Sequence, residues 1–300
     1  MNADIFMVNK SITGKSHKYL WTSDQIDYIH NMYVNYGKSA TEISKMFNVS
    51  PPTIVKILKD FDVKWRVNSH RTYNLKEDYF DCLDNPNKLY FLGFLFADGC
   101  LSNHYEISIS LQEKDFHILE AFKDELCSNR PIEFKDYSYK NNDYSNYQNQ
   151  YRLRFDSKHM FQTLESYGLC RNKSLVLEFP DNIPSLYLRD FIRGYWDGDG
   201  YIGKYNRTDN NEKLRAACGI TSTFSFCSSV QSILHENLNV GGSLHEAGNC
   251  NGATYILDYG GNKQVKQILD WLYSESELKL SRKYEKYLSI FYPDLLANVA

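Results

Sequence analysis

Apolar side chains recur at two spacings in this chain, and each spacing predicts one kind of secondary structure. Over residues 21–66 they fall three and four residues apart, as on one face of an amphipathic helix. Three helices are predicted there, the first capped by Ser23 or Asp24, the second starting at Thr41 and the third at Pro51. Their apolar positions are Ile26, Ile29, Met32 and Tyr33, then Ile43, Met46 and Phe47, and finally Ile54, Ile57 and Leu58.

Strict alternation of apolar and polar residues defines a second set of segments. Residues 106–112 and 151–155 alternate in this way, which predicts strands with one buried face and places Arg152 and Arg154 together on the polar face. In the second half of the chain the predicted strands are 201–205, 215–223 and 254–259. With the helical segments between them, both halves are predicted to run helix, two strands, helix, two strands, helix, which is an α/β (α+β) arrangement.

A nine-residue segment occurs twice, 101 residues apart, from Phe91 to Gly99 and from Ile192 to Gly200. Self-similarity at a fixed long period indicates a duplicated structural unit. Each copy is predicted to be a mostly apolar helix with two small residues four positions apart, which lie on one helix face. These residues are Gly93 and Ala97 in the first copy and Gly194 and Gly198 in the second. The two faces are therefore expected to pack with their backbones close together.

An Asp-Gly step ends each copy, at Asp98-Gly99 and at Asp199-Gly200. A glycine just past a helix end is expected to adopt the left-handed conformation that stops the helix. The aspartate then sits at the negative end of the helix dipole, where a second carboxylate makes the position self-repelling. A cation relieves this repulsion, and carboxylates with backbone carbonyls suit Mg²⁺. The sequence therefore predicts a magnesium site at Asp98, Asp199 and the carbonyls of Gly99 and Gly200.

The charge of the chain is uneven. Its formal net charge is −3 with a pI near 6.2, yet the stretch from Lys56 to Lys76 carries an excess of four positive charges. Net charge governs nonspecific attraction and does not exclude a local basic patch. Seven cysteines without a Cys-x-x-Cys pair favour free thiols in a reducing compartment. Residues 1–19 lack a signal-peptide core, and no apolar run is long enough to span a membrane, so a cytoplasmic or organellar protein that is not secreted is expected.

The paired segments resemble the two motifs of the LAGLIDADG homing endonucleases in their single-chain form, over roughly residues 85–292. Residues 189–200 are especially similar to the second motif of that family. In the first copy Phe96 replaces the acid that is usual at the sixth position, whereas the eighth-position acid is present in both. The resemblance implies metal-dependent hydrolysis of both strands of a long DNA target, with Mg²⁺ as cofactor and Mn²⁺ as a substitute. It also implies catalytic roles for Asp98, Asp199, Lys173, Lys283 and Gln112; the second-half counterpart of Gln112 falls at Ser222 or Thr223.

The resemblance implies that two four-stranded sheets, related by a pseudo-twofold axis, form a saddle whose polar face meets DNA, since a major groove admits a β-ribbon. The polar positions predicted to contact DNA there are Ser102, His104, Arg152, Arg154, Tyr205 and Arg207. Residues 21–67 resemble a helix-turn-helix, in which Thr53 and Lys56 of the third helix enter the major groove. A plain three-helix bundle shows the same apolar spacing and stays open as an alternative.

The predicted domains are a flexible lead at 1–20, the helix-turn-helix at 21–67, a linker at 68–88, and two repeats at 89–182 and 183–300. Because the two repeats are joined covalently, a monomer is expected to bind double-stranded DNA. The fold also occurs in intron maturases, which bind intron RNA, and in regulators that bind DNA without cutting it. Both of these remain alternatives, although the presence of both motif acids favours cleavage.

Overall fold

A computed structural model describes residues 7–13, 16–34, 36, 38–61, 73–137, 148–206, 214–248 and 254–296 of the 300-residue chain. The chain forms two compact units, residues 1–72 and residues 73–300. No helix in these described ranges is both long enough and apolar enough to cross a membrane.

The N-terminal unit contains a hairpin and three helices. Strands β1 (Asn9–Thr13) and β2 (Ser16–Leu20) pair antiparallel, so the prediction of a flexible lead at 1–20 is wrong where these strands lie. The helices are α1 (Ser23–Val34), α2 (Ala40–Met46) and α3 (Pro51–Asp60). Their buried residues are Ile29, Tyr33, Ile43, Phe47, Ile54, Ile57 and Leu58. Met46, expected inside, is 37% exposed.

The helices of this unit are delimited by local signals. A capping box starts α2: the Ser39 hydroxyl accepts from the Glu42 N–H, and the Glu42 carboxylate accepts from the Ser39 N–H. The helix therefore begins at Ala40, one residue before the predicted start. Asn48 adopts a positive φ of 50° in the turn between α2 and α3, and Pro51 opens α3 as predicted.

The second unit contains two repeats with the predicted element order. The first consists of α4 (Pro86–Asp98), β3 (Gly99–Leu101), β4 (Glu106–Gln112), α5 (Phe116–Glu125), β5 (Glu133–Lys135), β6 (Gln150–Asp156) and α6 (Lys158–Ser166). The second consists of α7 (Leu188–Asp199), β7 (Gly200–Asn206), β8 (Leu214–Ser222), α8 (Phe224–Leu238), β9 (Ser243–Glu246), β10 (Tyr255–Gly260) and α9 (Asn262–Tyr273). Two further helices follow, α10 (Ser281–Phe291) and α11 (Pro293–Leu296).

The sheets of the two repeats have the same topology. Their strand orders are β3-β4-β6-β5 and β7-β8-β10-β9, with antiparallel pairing throughout. The registers also correspond, because Gly99 pairs with Ile109 in the first sheet and Gly200 pairs with Ile220 in the second. The duplicated αββαββα architecture predicted from the sequence is thus confirmed.

The predicted linker at 68–88 is wrong for the part that is described. Tyr79 and Phe80 are buried in the core of the second unit. The Lys76 N–H donates to the Leu126 carbonyl at 2.9 Å, which holds this segment against the end of α5. Helix α4 begins at Pro86, so the first repeat starts before residue 89.

The first sheet buries one face and leaves the other polar, as the alternation predicted. Ile107, Ile109 and Leu111 are buried, and the polar residues between them face the other side. The predicted continuation through Ser102 and His104 is interrupted, however, by a hairpin turn at Asn103–Tyr105. Ser102 still lies opposite Glu106, to whose carbonyl its N–H donates, while His104 sits in the turn with a φ of 61°.

Candidate catalytic centre

Helices α4 and α7 pack through their small residues. A Cβ added at Gly93 would lie 2.0 Å from the Phe191 carbonyl oxygen, and one at Gly194 would lie 1.9 Å from that of Tyr90. Position 191 corresponds to position 90 in the other copy, so these two contacts are reciprocal, as a twofold relation requires. A Cβ at Gly198 would come within 2.3 Å of the Ala97 Cβ. The structure thus places Gly93, Ala97, Gly194 and Gly198 where α4 and α7 cross.

The helix packing brings the two motif aspartates together. Asp98 is the last residue of α4, and Asp199 is the last residue of α7. A Cβ added at Gly198 would lie 3.2 Å from Asp98 Oδ2, so the Asp98 carboxylate leans onto the end of the opposite helix. Both side chains keep an open, solvent-facing side. The predicted pair therefore forms one acidic site where the two helices end.

The expected left-handed conformation at the glycines is wrong. Gly99 has φ −71° and ψ 147°, and Gly200 has φ −85° and ψ 165°, both extended. A Cβ on Gly99 would lie 2.5 Å from the Leu95 carbonyl oxygen, and one on Gly200 would lie 2.4 Å from that of Trp196. At both positions the chain passes directly from the helix into a strand and lies against the last turn of that helix. Glycine is needed there because this turn leaves no room for a side chain.

The electrostatics show that the two carboxylates are held together at a cost. Burial and the negative charge of Asp199 raise the pKa of Asp98 to about 6, against the opposing attraction of nearby lysines. Burial also raises the pKa of Asp199, while Lys173 and Lys283 oppose the change. Two carboxylates with raised pKa values fit a divalent cation, because the cation favours the ionised form of both.

The donor set also fits the kind of cation predicted. Within the described residues, no three His, Cys, Asp or Glu side chains come together in a way that suits a metal. Two carboxylates supply only part of a coordination shell, which matches Mg²⁺, an ion that keeps waters and takes substrate phosphate oxygens. Of the two predicted carbonyl ligands, that of Gly99 accepts a hydrogen bond from Lys173 Nζ at 2.5 Å.

The two predicted lysines both lie at the helix ends, but they are held differently. Lys283 is only 5% exposed, and its Nζ donates to the carbonyls of Trp196, Asp197 and Gly198 at 2.7, 2.7 and 3.0 Å. Burial lowers the pKa of Lys283 to about 8, and burial likewise lowers that of Lys173. The structure places the two amino groups on carbonyls at the ends of α4 and α7, and the chemical roles of both lysines remain a proposal.

The sheet registers identify the counterpart of Gln112. Because Ile109 corresponds to Ile220, position 112 corresponds to Thr223 and not to Ser222. Gln112 is half-buried at the end of β4, on the side that Ser108 and Ser110 also face. Thr223 is buried and serves as the N-cap of α8, where its hydroxyl accepts from the Phe226 N–H and donates to the Leu177 carbonyl. The two halves therefore differ at this position.

A buried polar cluster beside the site was missed by sequence reasoning. Asp197, the sixth residue of the second motif, accepts hydrogen bonds from the Tyr90 and Tyr273 hydroxyls and the Leu280 N–H at 3.0, 2.7 and 2.8 Å. Arg193 pairs with Asp190 at 2.7 Å and donates to the Leu278 and Leu272 carbonyls. These bonds fix the segment that precedes Lys283. In the alignment of the two motifs, Asp197 corresponds to Phe96. This acid, present in one copy and absent from the other, was the signal of a structural role.

The polar face of the first sheet carries Arg152 and Arg154 as predicted, but carboxylates already bind them. Arg152 donates to Glu106, and Arg154 Nε donates to Glu133 at 2.7 Å. Arg154 Nη1 also reaches Glu106 at 3.3 Å. The face is therefore a network of paired charges, and its excess of positive charge is smaller than the arginines alone suggest.

The remaining predicted contact residues are spread over both units. Tyr205 is 40% exposed on β7, while Arg207 lies outside the described residues. In α3 the Lys56 side chain is exposed, and the Thr53 hydroxyl lies 2.9 Å from that of Ser50 at the start of the helix.

The family model described as a LAGLIDADG-like domain matches residues 187–271. The second repeat is a LAGLIDADG-like domain. The first repeat has the same strand order, the same register and the same helix-terminal aspartate, so the two repeats share one architecture.

Relatives of known sequence cover parts of the chain. This chain is 24% identical to the uncharacterized protein MJ0398 of Methanocaldococcus jannaschii over 184 aligned residues. The aligned segment covers 56% of this chain and 60% of that protein. It is 27% identical over 127 residues to the DNA-directed RNA polymerase subunit Rpo1C of the same organism, covering 41% of this chain and 14% of the subunit. Among solved structures, the I-LtrWI LAGLIDADG homing endonuclease bound to target DNA is similar, with a TM-score of 0.49, 12% identity, and coverage of 73% of this chain and 92% of that one.

Proposed function

We propose that this chain is a site-specific homing endonuclease that hydrolyses both strands of a long double-stranded DNA target as a monomer. The observation that carries the proposal is the pair of carboxylates, Asp98 and Asp199, held at the adjoining ends of α4 and α7. A self-repelling acidic pair with one buried and one half-buried lysine beside it has little structural value, but it suits a reaction at a phosphodiester.

The roles of the residues follow from their positions. Asp98 and Asp199, with the Gly99 and Gly200 carbonyls, would hold Mg²⁺, or Mn²⁺ as a substitute. The bound ion would supply an activated water and would stabilise charge on the leaving oxygen. Lys173 and Lys283 place positive charge beside the carboxylates, where it opposes the charge that develops on the phosphate. Gln112 lies on the same side of its sheet as the polar DNA-facing positions and orients water in the first half.

DNA binding is assigned to two surfaces. The polar faces of the two sheets would lie in the major groove, with Ser102, Arg152 and Arg154 from the first and Tyr205 from the second. The N-terminal unit would act as a helix-turn-helix module through Thr53 and Lys56 of α3. The basic residues that follow α3 in the sequence support this second assignment, since DNA affinity depends on neutralised phosphates.

Cleavage by single-carboxylate variants tests the proposal. Asp98→Asn and Asp199→Asn should each abolish double-strand cleavage in Mg²⁺, because each removes a charged oxygen ligand, while DNA binding measured without metal persists. The substrate is a plasmid library with randomised inserts, whose cut ends are sequenced for the wild-type protein. Asp181→Asn, on an exposed turn, is the matched control. Cutting at the wild-type rate by either motif variant contradicts the assignment, and a wild type that binds DNA without cutting it favours a regulator.

A further inference from the structure

The segment that carries Lys283 contains a second cation, Arg282, that is held from the first repeat. Arg282 Nε lies 3.1 and 3.0 Å from the two carboxylate oxygens of Asp115. Asp115 is 3% exposed, whereas the Arg282 side chain is 40% exposed. Within the described part of the chain, the two terminal amino groups of Arg282 make no hydrogen bond. The guanidinium is thus anchored by one nitrogen and open at the other two.

The position of Arg282 relates it to the Asp98 carboxylate. Arg282 directly precedes Lys283, whose Nζ donates to the Gly198 carbonyl at 3.0 Å. A Cβ on Gly198 would lie 3.2 Å from Asp98 Oδ2, so the chain at Arg282 passes beside this carboxylate. Asp115, its anchor, follows Gln112 after a single turn at the end of β4. Arg282 is therefore on the margin of the carboxylate site, near the position assigned to Gln112.

The segment around Arg282 is fixed at a second point. His117 Nε2 lies 3.3 Å from the Lys279 carbonyl and 3.2 Å from the Ser281 hydroxyl. Like Asp115, His117 belongs to the first repeat, so one half of the duplicated unit positions a cation of the other half. A guanidinium anchored this firmly loses little further rotational freedom on binding a ligand.

The first repeat lacks this arrangement. Aligning Lys173 with Lys283 places Asn172 opposite Arg282, and Asn172 occupies the left-handed region with a φ of 54°. The adjacent Arg171 is directed to the Asn103 side chain, at 2.8 Å. An arginine held by a buried carboxylate is therefore found at this position in the second repeat and not in the first.

We propose that Arg282 is a catalytic residue that binds the scissile phosphate of one DNA strand through its two open amino groups, and that Asp115 is its positioning residue. The proposal rests on the endonuclease function proposed above. A guanidinium fork matches two phosphate oxygens, and a fixed cation stabilises the charge that develops there without reorganising. Arg282 forms and breaks no covalent bond. Asn172, at the corresponding position of the first repeat, carries no positive charge that could bind a phosphate. The protein therefore stabilises the cleavage of one strand more than that of the other.

Strand-resolved nicking tests the role of Arg282. The wild-type protein first defines a cut site from the randomised plasmid library, and a supercoiled plasmid with that site is then cut in Mg²⁺ while each strand is followed separately. Arg282→Gln should slow cleavage of one strand by about 100-fold, the loss typical of one fixed donor at a developing charge, and leave the other strand within a few fold. Nicked circles should accumulate. Arg189→Gln, at the opposite end of α7, is the matched control and should behave as wild type.

Two further variants separate catalysis from folding. Arg282→Gln leaves the Asp115 carboxylate buried without its partner, so the double variant Asp115→Asn, Arg282→Gln removes both charges and should show the same strand-specific loss. Asp115→Asn alone should lower kcat for that strand with KM nearly unchanged, and Asp115→Glu should restore part of the rate.

A binding measurement gives a readout that does not depend on cleavage. In EDTA, Arg282→Gln should reduce the dependence of DNA affinity on salt by about one phosphate contact, whereas Arg189→Gln should not. If Arg282→Gln cleaves each strand at the rate of the wild type, the proposed role of Arg282 is wrong. A wild type that cuts neither strand refutes the endonuclease function itself, and the role of Arg282 with it.

Discussion

The Asp98 carboxylate couples the stability of the fold to pH. Its pKa is about 6 in the folded protein and 3.8 for the free side chain, so the folded state binds this proton more tightly than the unfolded state. Protonation therefore stabilises the fold as the pH falls from about 6 towards 4, and the charged form destabilises it above pH 6. The stability lost at neutral pH is the cost of keeping a charged site ready for a cation.

Replacing Asp98 by asparagine removes this penalty. Asp98→Asn should melt at a higher temperature than the wild type at pH 8 in EDTA, and the difference should shrink at pH 4, where the wild-type carboxyl is protonated as well. Thermal denaturation followed by circular dichroism measures this difference. Asp181→Asn, on an exposed turn, should melt with the wild type at both pH values. Equal melting temperatures for Asp98→Asn and wild type at pH 8 would refute the repulsion.

The paired charges on the first sheet lead to a prediction about affinity. Glu106 binds both Arg152 and Arg154, so Glu106→Gln leaves the two arginines with less compensating charge. We expect tighter DNA binding and a salt dependence steeper by about one phosphate contact, measured by fluorescence anisotropy at several salt concentrations. Glu165→Gln, exposed on α6, is the control for the added positive charge. An equal change in both variants would mean that the polar face does not contact DNA.

The sequence identifies the candidate site residues better than the side chains and carbonyls that hold them. Asp98, Asp199 and the lysines are found because they occupy matched places in a repeat. The capping role of Thr223 and the Asp115–Arg282 pair depend on how each strand leaves its sheet. In the first repeat a turn at Glu113–Asp115 separates β4 from α5, whereas in the second Thr223 caps α8 directly. A one-turn difference of this kind leaves no clear periodic signal.

Among the helices, α4 and α7 should tolerate no added side chain at their crossing. A Cβ at Gly194 meets the Tyr90 carbonyl oxygen at 1.9 Å, and backbone atoms cannot rotate away from it. Gly194→Ala should therefore cost about 3 kcal/mol of unfolding free energy, at the upper end of the usual overpacking range. Gly203→Ala, on β7, meets nothing within 4 Å and should change stability little. Chemical denaturation of the two variants measures the contrast, and equal losses would contradict the close packing.

Elements with a strong period are predicted well, and elements defined by other interactions are not. Strands β4 and β6 appear where alternation was complete, because one face of each is buried. The hairpin at 9–20 is short and polar, so it has no such pattern. The segment before α4 looks like a linker, yet Tyr79 and Phe80 are buried there because tertiary contacts, and not periodicity, determine their position.

The two units have separate hydrophobic cores, which predicts that the second folds without the first. A chain starting at Tyr73 keeps the contact of Arg130 with the Tyr73 ring and the bond from the Asn74 N–H to Asn129. It should cut the same phosphates as the full chain, because Asp98 and Asp199 lie in this unit. Its DNA affinity should be lower and its nuclease-protection footprint shorter.

The control for this truncation is the full chain with Lys56→Ala, which removes one exposed cation of α3 without shortening the protein. It should weaken binding less than the truncation and leave the cut positions unchanged. A truncated chain with the footprint of the full chain would show that residues 1–72 form a structural bundle, the alternative that the apolar spacing alone leaves open.

The two sheets share a strand order, yet they present different chemistry. The first offers arginines paired with glutamates, whereas the second offers Tyr201 and Tyr205 beside Gly203 and Gly219 on β7 and β8. A homodimer must present the same surface twice and so selects palindromes. The two halves of this chain are joined covalently and differ in sequence. The DNA site that the chain recognises should therefore have two different half-sites.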